Sequence, residues 1–239
     1  MKIFNKLFLI LCTLSFITTG TTYSQSNSSE SLKNSVFIAP LNMFDAINPS
    51  IQIGYERKIN DTFSAQIEGG IILRHSVFGF LFEAMDRGAY WYTNSGYKSR
   101  IELKYSMKDK IRFLRYSYLS GELFYTKNKS FVNDTFLISD PAFDYPIENI
   151  ENYNTYDEFY TLEKQRIGLN FKFGSKFFIG KYFFVEPHIG LGLVYRNSKH
   201  FGRMNDKDEL YDEVISFHNK AGKMFLPNFP YNVKLGYRF

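Results

Sequence analysis

Residues 96–106 read GYKSRIELKYS, and the two parities of that run have opposite chemistry. Tyr97, Ile101, Leu103 and Tyr105 fall on one parity; Lys98, Arg100, Glu102 and Lys104 fall on the other. A period of two belongs to a β-strand with one apolar and one polar face. The constraint is that this pattern recurs. Eight such runs are read, at about 35–42, 50–59, 62–73, 96–106, 113–126, 160–173, 182–195 and 231–239. The polar parity holds Glu56, Glu68, Glu122, Lys172, Glu186 and His188 in the second, third, fifth, sixth and seventh runs. In the last run Lys234 and Arg238 alternate with Val233, Leu235, Tyr237 and Phe239. Two prolines are awkward for a closed sheet: Pro40, which interrupts the first run, and Pro187, expected near one end of the seventh strand or at a bulge.

The joins alternate in length. Those at 60–61, 107–112 and 174–181 are short, 43–49 is intermediate, and those at about 74–95, 127–159 and 196–230 are long. An even number of strands with short turns at one end and long loops at the other predicts an all-β, eight-stranded antiparallel transmembrane up-and-down β-barrel. A soluble lipocalin-type barrel has the same strand count. It is apolar within and polar outside, whereas eight narrow strands with charged and aromatic faces suit a lumen of charges and a wall in lipid. The 19% aromatic content beside a negative mean hydropathy fits alternation of this kind.

The beginning of the chain agrees with export. Lys2 and Lys6 precede an apolar run from Leu7 to about Ile17, then small and polar residues. This predicts a secretory signal peptide over 1–24, removed in the mature chain, because the run is too short to span a bilayer as a helix. The competing expectation is an N-terminal membrane anchor. A polar linker, 25–34, leads to the barrel at 35–239. Cys12, the only cysteine, lies in the apolar run, so disulfides are not expected. The formal charge of +5 includes the two leader lysines; the excess is too small to argue for nucleic acid.

Four stretches, GYERKINDTFSAQIEGGI, TLEKQRIGLNFKFGSKF, IGLGLVYRNSK and the terminal VKLGYRF, resemble a family of small outer-membrane β-barrel proteins of unknown function. The resemblance covers 34–239 outside the long loops. It implies the fold and an outer-membrane location among lipid and lipopolysaccharide, and it supplies no catalytic residue. In the barrels it resembles, a terminal aromatic strand is read by the barrel-assembly machinery. That role is carried here to Val233, Leu235, Tyr237 and Phe239.

The polar parity is the first candidate site. Glu56, Glu68, Lys98, Arg100, Glu102, Lys104, Glu122, Lys172, Glu186, His188, Lys234 and Arg238 are expected to meet in the lumen. Buried charges persist when paired, so a structural plug is expected, with a narrow ion path as the rival. His188, two residues from Glu186, is expected as a hydrogen-bonded interior histidine and not as part of a lipid hydrolase, for which no serine is forced beside it. Gly190 and Gly192 lack the third glycine of a dinucleotide loop and are expected to make room for larger side chains.

The long loops are expected to carry recognition of an extracellular ligand or protein. The loop at 127–159 holds seven carboxylates without the spacing of a calcium loop, and SFVNDTFLI within it suggests an extra hairpin near 131–138, turning at Asn133–Asp134. Residues 75–92 suit an interfacial aromatic girdle or a hydrophobic patch, and 206–220 a short loop helix. His200 and His218 are too scattered to argue a metal site. The leading expectation is therefore a non-enzymatic structural or recognition barrel without cofactor. The alternatives are a small pore or ligand-binding barrel and, last, an outer-membrane lipid-modifying enzyme.

Overall fold

The computed structural model describes residues 32–44, 48–74, 93–107, 116–137, 155–203 and 219–239. The expected signal peptide, most of the linker, the aromatic stretch at 75–92 and the loop helix at 206–220 (apart from its last two residues) lie outside these.

The described residues form ten strands: β1 (Asn34–Ile38), β2 (Ser50–Lys58), β3 (Phe63–Ile72), β4 (Thr93–Ser106), β5 (Ser117–Leu137), β6 (Thr155–Ser175), β7 (Phe177–Ile179), β8 (Phe183–Phe201), β9 (Gly222–Asn228) and β10 (Tyr231–Arg238). All pairings are antiparallel, each strand bonds to its neighbour, and β10 bonds to both β1 and β8. The sheet is a closed eight-stranded barrel in which β9 and β10 together make the eighth wall strand, since both pair with β8. Strand β7 is a three-residue hairpin arm within the join at 174–181.

Register fixes the geometry. From Leu235, successive partners run through Ile38, Ile53, Gly69, Ser99, Tyr125, Ile167 and Tyr195 to Phe225. That is ten residues from the start on the same wall strand, the stagger of the barrel. Ten residues of stagger over eight strands corresponds to a tilt of about 40°. At this width the lumen is filled by side chains.

Four cross-strand pairs show how it is filled. Phe37 faces Gly54, Tyr118 faces Gly174, Phe124 faces Gly168 and Phe184 faces Gly236. At each glycine a Cβ would collide with the facing ring, so the ring lies flat over bare backbone. Gly190 and Gly192 do the same for Lys172 and Asn170.

The prolines fall where a ladder bond is not needed. Gly190 N–H donates to Pro230 C=O, and Arg238 N–H to Tyr182 C=O, so even-numbered residues of β8 and β10 bond each other. Pro187 therefore aims its nitrogen at β6, whose pairing stops one residue earlier at Gly174–His188. Pro187 stands near the short-turn end, without a bulge. Pro40 opens a 3-10 helix, Pro40–Phe44, that ends the β1 segment and touches β2 and β10.

The long-loop end differs from expectation. Strands β5 and β6 pair continuously up to Leu137–Thr155, so Asn133 and Asp134 sit mid-strand opposite Phe159 and Glu158, with no hairpin turn there. Strand β8 runs to Phe201, β9 occupies 222–228 and β4 begins at Thr93, so the joins at 74–95, 127–159 and 196–230 are shorter than expected. The alternation continues through these extensions, but the outward parity turns polar (Lys127, Lys129, Glu163, Gln165), which erases the apolar signal used to place strand ends.

Candidate functional site

The lumen is the most elaborate constellation among the described residues. It begins with two carboxylates in an arrangement that by itself is unfavourable: Glu102 on β4 is the direct partner of Glu122 on β5. Cations from the adjacent strand β6 and from β10 across the lumen resolve it. Lys172 Nζ on β6 lies 2.7 Å from both Glu102 Oε2 and Glu122 Oε2, and Lys234 Nζ on β10 lies 3.1 Å from Glu102 Oε2. Ser120 Oγ donates to Glu102 Oε1 at 2.6 Å, Gln66 Nε2 to Glu102 Oε2 at 3.0 Å and Asn170 Nδ2 to Glu122 Oε1 at 2.7 Å.

Toward the short-turn end a second layer joins the first. Lys104 Nζ donates to Glu56 Oε2 (2.7 Å) and Glu186 Oε1 (2.5 Å), and Tyr118 OH donates to Glu186 Oε1 (2.8 Å). Lys176 Nζ bridges Glu56 Oε1 (2.8 Å) and Glu186 Oε2 (3.3 Å). Lys234 Nζ, 3.5 Å from Glu186 Oε1, links the two layers. Four lysines and four glutamates thus form one network contributed by β2, β4, β5, β6, β8, β10 and the β6–β7 turn. Glu186 is 0% exposed and Glu102, Glu122 and Lys234 are 1% exposed. Charges this buried persist because each is paired; Glu186 Oε2 has no hydrogen bond among the described residues and is held by the Lys176 ion pair.

Of the twelve lumen residues expected from the sequence, Glu56, Glu102, Lys104, Glu122, Lys172, Glu186 and Lys234 belong to this network. Glu68 and Arg100 pair separately, at 3.4 Å. Lys98 donates to the Asn48 carbonyl (2.9 Å) and Ser50 Oγ (3.0 Å). Arg238 does not reach the carboxylates: it lies over the Phe178 ring, 4.2 Å from its centroid, and donates to the Lys181 carbonyl. As the last residue of β10 it stands at the rim, beyond the reach of Glu186. His188 is buried, but its Nδ1 has no hydrogen-bond partner among the described residues, because strand partners Asn232 and Gly174 supply none. His200 is a second strand histidine, near the top of β8, with Nε2 at 2.6 Å from the Asn219 carbonyl.

Lys176 was missed. It sits in a turn, and period-two counting assigns faces only within strands; the flanking short β7 arm is what aims it inward. Below the network a vestibule of about 250 Å³ opens at the short-turn end, floored by Glu56, Lys104 and Lys176 and walled by Tyr116, Phe178 and Arg238. Among the described residues no group of three or more His, Cys, Asp or Glu is placed to hold a metal.

The terminal strand has two different faces. Lys234 points into the network, while Tyr237 and Phe239 face outward. Tyr237 stacks on Tyr182 (5.6 Å, 19°) and Phe239 (6.5 Å, 22°) and meets Phe183 edge-on (5.4 Å). Phe239 and Asn34 exchange both backbone hydrogen bonds, closing the barrel at the terminal residue.

No model of a known protein family matches the chain, and neither a curated protein nor a solved structure matches it. The resemblance read from the sequence is thus carried by the architecture alone, at the level of a small eight-stranded antiparallel barrel.

Proposed function

We propose that the chain is an exported outer-membrane barrel whose lumen is plugged and whose non-enzymatic role, structural or in recognition, lies at its long-loop end. The observation that carries this reading is the reversal of inside and outside. Phe171, Leu193 and Ile53 are 63–67% exposed on the wall while four glutamates and three of their lysines are buried in the lumen. A soluble protein rarely exposes contiguous apolar area on this scale. Among the described residues no helix is long and apolar enough to cross a membrane.

The dimensions support it. Outward residues stay apolar or small from Tyr97 to Tyr105 on β4 and from Phe183 to Tyr195 on β8. At about 3.3 Å per residue and about 40° of tilt these runs rise about 20 and 30 Å, bracketing the ~25 Å apolar band of membrane barrels. Aromatic pairs mark both margins: Phe63–Tyr105 and Tyr182–Tyr237 below, Tyr97–Tyr125 and Tyr195–Phe225 above. The eight-charge network fills the lumen with buried, mutually paired side chains, which favours the plug over the pore.

The tests are direct. The folded chain is expected to fractionate with outer membranes and to migrate faster on a denaturing gel before boiling than after. In a planar bilayer it is expected to give no steady conductance; a stable open level overturns the plugged lumen. Deleting Phe239 removes the terminal hydrogen-bond pair with Asn34 and the outermost aromatic of β10. We expect membrane levels to fall far more than the stability of whatever molecules fold, and normal levels count against an assembly role for the strand.

A further inference from the structure

The outward parity carries a charged patch on the tall side, directly above the upper aromatic margin. One row of cross-strand partners runs Lys127–Gln165–Asn197–Lys223, and the next, two residues higher, runs Lys129–Glu163–Lys199. Tyr195 and Phe225, 5.2 Å apart, lie one step below these rows, and Phe131 and Phe201 one step above. The rows therefore form a polar band between two aromatic levels of the wall. They hold four lysines and one carboxylate.

That carboxylate is already occupied. Lys127 Nζ pairs with Glu163 Oε1 at 3.0 Å, and Gln165 Nε2 donates to the same oxygen at 3.2 Å. Lys129, Lys199 and Lys223 are exposed and make no ion pair among the described residues. Lys199 and Lys223 are diagonal neighbours on adjacent strands, about 7–8 Å apart at their roots. Lys129 stands two strands from Lys199, about 10 Å away. Long lysine stems lie along apolar wall and lift their ammonium groups to the polar side. Three cations on that footprint match two phosphates on one headgroup better than a single point charge.

Resting on the membrane reading above, we propose that Lys129, Lys199 and Lys223 form a binding site for a multiply phosphorylated lipid headgroup of the leaflet on the long-loop side, with the chemistry of lipid A. The aromatic rings below the site contact the upper acyl chains, and the Glu163–Lys127 pair limits the site to the three outer lysines. No counterpart exists among the described residues on the opposite wall, where the outward face of β2 and β3 ends in Ile51 and Ile71.

The test uses the full exported chain in detergent, titrated with lipid A, phosphatidylethanolamine and inorganic phosphate and read by native mass spectrometry. Wild type is expected to prefer lipid A, and the triple variant K129Q/K199Q/K223Q to bind it about a hundredfold more weakly, a factor of about five per lysine. The triple Lys→Arg variant keeps the charge and is expected to retain binding. The proposal is overturned if the glutamine variant binds lipid A like wild type, if wild type holds phosphatidylethanolamine equally well, or if inorganic phosphate competes as well as the lipid. The heat-dependent gel shift of each variant checks its fold. A wild-type chain that inserts and shifts but shows no lipid A preference removes only this site; one that stays soluble removes the membrane reading as well.

Discussion

The barrel has a low wall and a tall wall made from the same alternation. On the low side β1, β2 and β3 have 5, 9 and 10 residues and end with the apolar belt. On the tall side β5, β6 and β8 have 21, 21 and 19 residues and continue beyond it. At lumen level the walls are alike: each supplies charges to one network and lays an aromatic ring over a glycine. They diverge only where the outward parity turns polar. Strand length above the belt is therefore independent of what closes the barrel, and the tall wall is free to carry chemistry that the low wall lacks.

The lumen network is where the walls are tied together, so breaking it has the largest effect. Glu186 on β8 holds Lys104 of β4, Lys234 of β10, Lys176 of the turn and Tyr118 of β5. Glu186→Ala leaves three ammonium groups, two of them buried, short of a partner. We expect a loss of about 3–5 kcal/mol, read as a lower denaturant midpoint of the folded barrel. A loss under 1 kcal/mol would mean that the walls are held by backbone pairing alone.

The next test asks whether the walls are equivalent inside. Gly168→Ala on the tall side pushes a methyl group into the Phe124 ring and the Leu193 carbonyl; Gly236→Ala on β10, where the low side's β1 meets the tall side's β8, meets the Phe184 ring and the Val36 carbonyl. Each is expected to cost about 1–3 kcal/mol through overpacking. Gly121→Ala faces open space on the outer wall and is expected to change stability by less than about 0.5 kcal/mol. Clearly unequal costs at 168 and 236 would break the equivalence.

The smallest effect belongs to the tall wall's outer face. Glu163 on β6 faces Lys127 and Lys129 of β5 and Lys199 of β8, and hydrogen bonds from Lys127 and then Gln165 hold its carboxyl below the ordinary value of 4.5. A carboxyl depressed on folding stabilises above its unfolded pKa, and that contribution fades as pH falls through the lower folded value. Lowering the pH from 7 to 5 is thus expected to leave this pair intact, and lowering it through the region below 4.5 to release Lys127. Because the headgroup phosphates themselves gain a proton at about pH 6, lipid A binding by the same mass-spectrometric titration is read as the ratio of wild type to Glu163→Gln, which should be flat over the first interval and rise toward one in the second. A rise already between pH 7 and 5 would place the titrating group elsewhere.

Much of this molecule was legible in one dimension because a strand puts alternate residues on opposite faces. The runs containing Glu56, Glu102, Lys104, Glu122, Lys172, Glu186 and Lys234 each place their charge on the inward parity. In a barrel this narrow, residues on that parity have only one another to meet. The failures have one cause as well. Parity says which side a residue faces and nothing about its height, so Arg238, correctly inward, was assigned carboxylates it stands too low to reach. Lys176 has no parity because it lies in a turn. The ends of β5, β6 and β8 were placed where apolar residues stopped, although backbone pairing does not stop when the outward face becomes polar.

The sequence alone thus determined the number of wall strands, their order and their inner and outer faces, all consequences of local alternation and join length. Register and height needed the closed structure. The ten-residue stagger brings Lys234 beside Gln66 and Glu186 and sets Glu102 against Glu122 under the ammonium of Lys172. The same stagger gathers Lys129, Lys199 and Lys223 from two adjacent rows into one patch of the tall wall. Which residues share a level depends on how every strand slides against its neighbour, and that is settled only when the eighth strand closes on the first.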